Sequence, residues 1–136
     1  MKIEALIDKL SSELKLEVVP QKDRKDLYTL KIGSSPRVSI KELEPGAFFE
    51  ARIFPIPKQE NKEALFIYLM KANLLGQGTG GAVIGIDHSE KFFSLTLTLP
   101  FEIDYRIFHD SLEDYLNYID YWKEEIAIFI EKGFIR

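Results

Sequence analysis

Apolar residues at the start of the chain recur at spacings of three and four positions, with charged residues between them. The apolar positions are Ile3, Leu6, Ile7, Leu10 and Leu14. These spacings place them on one stripe of a helix, so the pattern predicts an amphipathic helix that packs its apolar side on the rest of the protein. Pro20 and the charged run QKDRKD then indicate a solvated connection to the next segment.

The next segments alternate apolar and polar residues with a period of two, which is the pattern of β-strands. LYTLKI and RVSIKEL flank the turn GSSP and predict a hairpin. The turn EPG leads into AFFEARIFPIP, which predicts a third strand that ends at Pro55 and Pro57, because proline has no N–H to give to a sheet. We expect an antiparallel meander of three strands.

The segment ENKEALFIYLMKANLLG predicts a second helix. Asn61 is the expected N-cap, and Gly76 is the expected end, because glycine readily adopts the left-handed conformation found just past a helix. Apolar residues occupy every angle around this helix axis, and such a helix is expected to be buried all round. Since one sheet can cover only one side of it, the pattern predicts a homodimer in which the other side packs on a second copy.

The remaining segments predict a second hairpin and a long final helix. GAVIGID and KFFSLTLTLP flank the turn DHSE, and an apolar period of three and four runs from about Asp104 to Lys132. The element order α-β-β-β-α-β-β-α indicates an α+β fold with a mostly antiparallel sheet covered by helices. A chain of 136 residues has the size of one domain, which we expect to span residues 1–136.

Composition narrows the chemistry that the chain can support. No cysteine occurs, which excludes disulfides, thiolate catalysis and cysteine-based metal sites. The 18 Lys and Arg are spread along a chain of net charge −4, so the basic footprint of a nucleic-acid-binding protein is missing. Charges interrupt the N-terminus, and no apolar run approaches membrane-spanning length. We therefore expect a cytoplasmic protein without membrane insertion.

The stretch NLLGQGTGGAVIGID holds five of the eight glycines, and GQGTGG resembles a phosphate-binding loop at first sight. A phosphate loop follows a strand and opens a helix, whose N-terminal N–H groups hold the anion. Here the predicted order is reversed, and the Lys-Ser/Thr ending of an ATP-binding loop is absent. We expect a helix cap and a flexible or tightly packed turn. Gly85, in the strand that follows, permits close approach of another backbone.

The other polar residues form no catalytic constellation. His109-Asp110 resembles the paired metal ligands of some phosphohydrolases, yet His88, the other histidine, falls in a polar turn. The carboxylates of the last helix fit a solvated face, and no serine has a G-x-S-x-G context. We expect no enzymatic activity, no cofactor and no metal.

The element order, together with ANLLGQGTGGAVIGID, FFSLTLTLPFE and FHDSLEDYLNYIDYWKEE, resembles the CesT-like (Tir chaperone) family of class I type III secretion chaperones. The family pattern runs from a helix ending in A-N-L-L, through glycines and a strand, to an L-T-L strand and a helix with aromatic positions and a tryptophan. The distinctive residues lie between about Ala72 and Glu125, and the N-terminal half is matched by pattern alone.

The resemblance implies a small, acidic, bacterial homodimer that holds the N-terminal part of secreted effector proteins in an extended form and delivers it to a type III secretion system. It implies no catalysis, and it leaves the export ATPase of the apparatus open as a further partner. The implied effector-binding residues, which also fit a sealed core, are Leu6, Leu10, Ile32, Val38, Ile40, Phe49 and Ile53. The implied dimer interface comprises Phe66, Met70, Leu74, Val83 and Ile84.

Physical reasoning agrees with that role, because an extended client can add its backbone to a sheet edge while its apolar side chains enter pockets. The acidic surface also favours basic client segments. A second interpretation is a small-ligand-binding or regulatory α+β module that uses the glycine turn as its site. A third, an unrecognised hydrolase, needs a nucleophile or metal site that the sequence does not offer.

Overall fold

The helices and strands of the computed structural model follow the order that the sequence pattern predicts. The structure describes residues 2–58, 62–76 and 78–132. Its elements are α1 (Ile3–Leu14), β1 (Leu27–Leu30), β2 (Val38–Glu42), β3 (Ala47–Pro55), α2 (Glu63–Ala72), a single 3-10 turn (Leu74–Gly76), β4 (Val83–Ile86), β5 (Phe92–Leu99) and α3 (Tyr105–Glu131). The predicted α+β fold is confirmed.

The ends of the helices reflect local sequence signals. The side chain of Asp104 caps α3 by accepting a hydrogen bond from the N–H of Ile107 at 2.9 Å. The α-helical part of α2 ends at Ala72, earlier than expected, and the 3-10 turn continues to Gly76, whose φ of +69° confirms the predicted glycine stop. The expected N-cap, Asn61, lies outside the described residues.

The strands form one antiparallel five-stranded sheet in the order β1-β2-β3-β5-β4. The meander supplies three neighbouring strands, and the second hairpin joins it through the pairing of β3 with β5. Helix α2 connects β3 to β4. Strand β4 lies at one edge of the sheet, and β1 lies at the other. Both predicted hairpin pairings are confirmed.

The core lies between the helices and one face of the sheet. Phe49 on β3 contacts two aromatic rings of α3, Phe108 at 6.0 Å and Tyr115 at 5.5 Å between ring centroids. The Tyr115 hydroxyl donates to the carbonyl oxygen of Leu95 at 2.6 Å, which satisfies a buried polar group. The buried stripe of α3 is the predicted one: Phe108, Leu112, Tyr115, Ile119, Trp122, Ile126 and Phe129.

The other face of the sheet is polar. Thr29, Ser39, Glu50 and Thr96 lie in register across four strands on this face. The alternation along each strand thus separates a core side from a solvent side. Within the described ranges, no helix is both long enough and apolar enough to cross a membrane.

Candidate protein-binding surfaces

The residues expected to bind an effector belong mainly to the core of the protomer. Six of these side chains are buried between the helices and the sheet, and Ile32 is half-buried. The six are Leu6, Leu10, Val38, Ile40, Phe49 and Ile53. Their contacts in the protomer are with other core residues. The structure therefore brings them together as a folding core, and their role in client binding stays a prediction.

The residues expected at the dimer interface divide into buried and exposed groups. Ile84 is buried, and the half-buried ring of Phe66 packs edge-on against Phe93 at 5.8 Å. Met70 and Leu74 are 72% and 65% exposed. Burial all round α2 does not occur within the protomer, because the sheet and α3 cover only the side that carries Leu65 and Leu69.

The exposed apolar residues of α2 and β4 define what we call the α2–β4 surface. Its members are Ile67, Met70, Leu74, Val83 and Ile86, which are 46 to 72% exposed. Spacings of three and four put Ile67 in line with Met70 and Leu74, so the helical period could have identified it from the sequence. Val83 and Ile86 are three residues apart in a strand and point to opposite faces, so the surface wraps around the sheet edge.

The glycine-rich turn lies between α2 and β4, and part of it packs against α3. The Trp122 indole N–H donates to the carbonyl oxygen of Gly78 at 2.9 Å. Gly80 has a φ of +64°, and a Cβ atom at this position would lie 2.3 Å from the ring of Tyr118. These contacts explain why glycine occurs here, and β4 follows the turn as predicted. Gly78 and Gly80 are thus in contact with aromatic side chains of α3, and these contacts do not favour the ligand-binding alternative.

Asn73, at the end of α2, forms two hydrogen bonds with the backbone of β4. Its amide nitrogen donates to the carbonyl oxygen of Ile84 at 2.8 Å, and its side-chain oxygen accepts from the N–H of Ile84 at 2.8 Å. This is the pairing that a peptide group of a neighbouring strand would make. Sequence analysis missed this role, because a contact between α2 and β4 leaves no local signal.

A related contact occurs at the opposite edge, at the start of β1. The N–H of Leu27 donates to the Asp23 carboxylate at 3.0 Å, and the N–H of Asp23 donates to the carbonyl oxygen of Leu27 at 2.9 Å. Backbone groups of a strand alternate between its two sides. The next residue of β1 that directs its N–H and C=O away from β2 is therefore Thr29, which is exposed.

The buried carboxylate of Asp87 stabilises the turn between β4 and β5. Burial by itself raises the pKa of Asp87, but hydrogen bonds from the Ser89 hydroxyl and the Phe92 N–H and the positive charge of Arg52 together outweigh it. The pKa is consequently below its usual value. The Arg52 guanidinium lies 2.7 Å from the carboxylate, which gives this group a structural partner.

The candidate metal ligands do not form a site in the described part of the chain. His109 lies 3.2 Å from the neighbouring Asp110 carboxylate on the exposed side of α3. Among the described residues, no group of three or more His, Cys, Asp and Glu side chains is arranged to hold a metal ion. This arrangement fits a solvated helix face.

Three solved complexes contain a chain with a similar fold. The chain is similar to a chain of the ExsC–ExsE complex, with 17% identity, a TM-score of 0.74 and coverage of 90% of this chain and 91% of that one. A chain of the HopA1–SchA chaperone–effector complex has 13% identity and a TM-score of 0.65, and the match covers 90% of this chain and 93% of that one. A chain of the ExoU–SpcU complex of the Pseudomonas aeruginosa type III secretion system has 12% identity and a TM-score of 0.61, and the match covers 91% of this chain and 93% of that one.

Sequence comparison assigns the family. Curated protein sequences gave no match. The model of the Tir chaperone protein (CesT) family matches residues 5–123, which is most of the chain. The match extends through the N-terminal half, where the sequence pattern alone carried the resemblance. The chain belongs to the Tir chaperone protein (CesT) family, the type III secretion chaperones to which its motifs pointed.

Proposed function

We propose that the protein is a cytoplasmic homodimeric chaperone that holds an extended segment of a secreted effector. It delivers this segment to a type III secretion system, and the export ATPase of that system is the expected acceptor. The observation that carries this proposal is the difference between the sheet edges. One edge is bordered by the apolar α2–β4 surface, which suits a second copy. The other has outward backbone groups at Thr29, which suit an extended chain.

The α2–β4 surface supports a homodimer because it groups exposed apolar side chains on neighbouring elements. Among the large apolar residues of α2 and its 3-10 turn whose side chains the structure describes, Met70 and Leu74 are the most exposed. Leaving such side chains in water forfeits about 1.5–3 kcal/mol each relative to full burial. A second copy that presents the same surface would bury them in a two-fold arrangement.

The β1 edge supports client binding through the backbone. An extended segment can pair with Thr29 and place alternate side chains toward the α1 side of the sheet. Carboxylates surround this region: burial raises the pKa of Tyr28 on β1, and the negative charges of Glu4, Glu42 and Asp8 raise it further. A client with basic residues beside its apolar ones would complement these charges.

Apolar contacts on the α1 side are available near the end of that helix. Leu6 and Leu10 are buried, but Leu14 and the following Val18 and Val19 are 36 to 79% exposed. On this side of the molecule, a client can reach these three side chains without opening the core.

The proposal can be tested by capture of clients on the tagged protein from its native cytoplasm, followed by limited proteolysis. The expected result is one or a few secreted proteins with a protected, extended N-terminal segment. Capture of folded partners only, with no protected segment, would contradict the proposal. A solution mass of twice 15.7 kDa for the chain alone is expected of the homodimer.

Two substitutions at the β1 edge provide a matched comparison. Thr29→Pro removes the outward N–H that a client strand needs, and an edge strand tolerates this because β2 does not use that N–H. Thr29→Val keeps the N–H and the β-branched shape. We expect about tenfold weaker client binding for Thr29→Pro and unchanged binding for Thr29→Val. Equal binding by both variants would show that the client does not pair at β1.

A further inference from the structure

The backbone of β4 has one side that faces β5 and one that faces outward. The N–H of Asp87 donates to the carbonyl oxygen of Phe92, so residues 83, 85 and 87 direct their backbone groups toward β5. Ile84 and Ile86 therefore direct theirs outward. Both outward groups of Ile84 are bonded to the Asn73 side chain at 2.8 Å.

This arrangement fills the position that a further strand would need. An N–H group has one hydrogen to donate, and the N–H of Ile84 already donates to the Asn73 side chain. The Asn73 side chain also occupies the space beside the middle of a strand that is only four residues long. The remaining outward groups, those of Ile86, belong to the last residue of the strand, so β4 offers no further outward groups beyond the block.

We propose that Asn73 closes the β4 edge of the sheet to strand addition. The second copy then docks on the α2–β4 surface through side chains rather than by continuing the sheet, and an extended client pairs at β1. The closure itself is independent of the proposed function, whereas its consequence for the second copy and the client rests on that function.

The β1 edge lacks a comparable block at its centre. Asp23 occupies the outward groups of Leu27, which is the first residue of the strand. Thr29, two residues further on, has no such side chain against its backbone among the described hydrogen bonds. An exposed and unblocked edge pairs readily with other chains. The two edges therefore differ in the position of the block, and this difference selects the edge at which an extended chain can add.

The test is to remove the block and measure association. Asn73→Ala exposes the outward groups of Ile84, and we expect the weight-average mass in light scattering to at least double relative to the wild type across a dilution series. Asn117→Ala, the same change at an exposed asparagine on α3, should leave the mass unchanged. The mass of the wild type tests the homodimer separately, because the proposal here concerns only the change on substitution.

A second pair of variants tests whether the new association uses the β4 backbone. In the Asn73→Ala protein, Ile86→Pro removes the outward N–H of Ile86 and should reverse the gain in mass. Ile86→Ala shortens the same side chain but keeps the N–H, so the gain should persist. A folded Asn73→Ala protein with wild-type mass, or a gain in mass that survives Ile86→Pro, would overturn the proposal.

Asn73→Asp tests the same idea without leaving a cavity. Its carboxylate still accepts from the N–H of Ile84, although it has no hydrogen to donate to the carbonyl oxygen of Ile84. Because a further strand needs that N–H, we expect slow hydrogen exchange of the Ile84 amide and the mass of the wild type. A protein that associates further while the Ile84 amide stays protected would contradict the closure by Asn73. Fast exchange of this amide without any association would contradict it as well.

Discussion

Helices α2 and α3 are both rich in apolar residues, yet the protomer buries them differently. Helix α3 has a regular stripe of apolar residues, and the whole stripe is buried. Helix α2 has apolar residues all round, but its buried residues are Leu65 and Leu69, while Ile67 and Met70 remain 46% and 72% exposed. The buried stripe of α3 therefore describes what the protomer needs for folding, whereas the exposed apolar residues of α2, which continue onto β4, indicate a partner.

The largest effect should come from the stripe of α3. Phe108→Ala removes a fully buried ring that contacts Phe49, and we expect the free energy of unfolding to fall by about 3–5 kcal/mol. Chemical denaturation followed by far-ultraviolet circular dichroism measures this change. A loss below about 1 kcal/mol would show that α3 is not part of the folding core.

A substitution on the exposed side of α2 should weaken the dimer and leave the fold of the protomer intact. Met70→Asp places a charge on the α2–β4 surface, and we expect the dimer dissociation constant to rise about 100-fold while the protomer keeps its helical content. Analytical ultracentrifugation measures the constant. Tyr121→Asp adds the same charge at a residue of α3 that is 52% exposed, and it should leave the dimer intact. A dimer unaffected by Met70→Asp would remove this surface from the interface.

The glycine turn between α2 and β4, which contacts α3, offers a finer test. Gly80→Ala and Gly81→Ala both put a side chain on a residue with positive φ, but a Cβ at residue 80 would overlap the Tyr118 ring, whereas at residue 81 nothing lies within 4 Å. We expect Gly80→Ala to lower the free energy of unfolding by about 2 kcal/mol more than Gly81→Ala. Removing the ring by Tyr118→Ala should reduce this difference. Equal losses of unfolding free energy for Gly80→Ala and Gly81→Ala would rule out the overlap.

The smallest effect concerns pH and the hairpin beside α2. Because the folded pKa of Asp87 lies below its unfolded value of about 3.9, its contribution to stability is present above that value and is lost as pH falls through the folded pKa. Thermal melts between neutral pH and pH about 3 should show this loss. Arg52→Ala removes the charge at 2.7 Å and should raise the pKa of Asp87 in a carbon-detected NMR titration. An unchanged titration would assign the low pKa to the hydrogen bonds alone.

Sequence reasoning succeeded where the signal was local. The apolar period located α3 almost to the residue, and strand alternation separated the two faces of the sheet. It could not tell whether a face is open or covered, which is why residues such as Phe49 were assigned both to client binding and to a core. Burial is settled by the packing of distant elements, which no short stretch of sequence records.

Contacts between distant segments account for the other omissions. The pairing of β3 with β5 and the bonds from Asn73 to Ile84 join residues that no periodic pattern relates. The all-round apolar character of α2 indicated a partner but did not distinguish Phe66, which packs inward, from Ile67, which does not.

The packing of Trp122 has a practical consequence. It is the chain's one tryptophan, it is buried, and its indole N–H is bonded to Gly78 in the turn that links α2 to β4. Its emission is therefore an intrinsic optical signal from the junction of the candidate dimer surface with the core. Any event at α2 that loosens the turn should shift this emission to longer wavelength, so that changes at the candidate dimer surface can be followed in real time on the unlabelled protein.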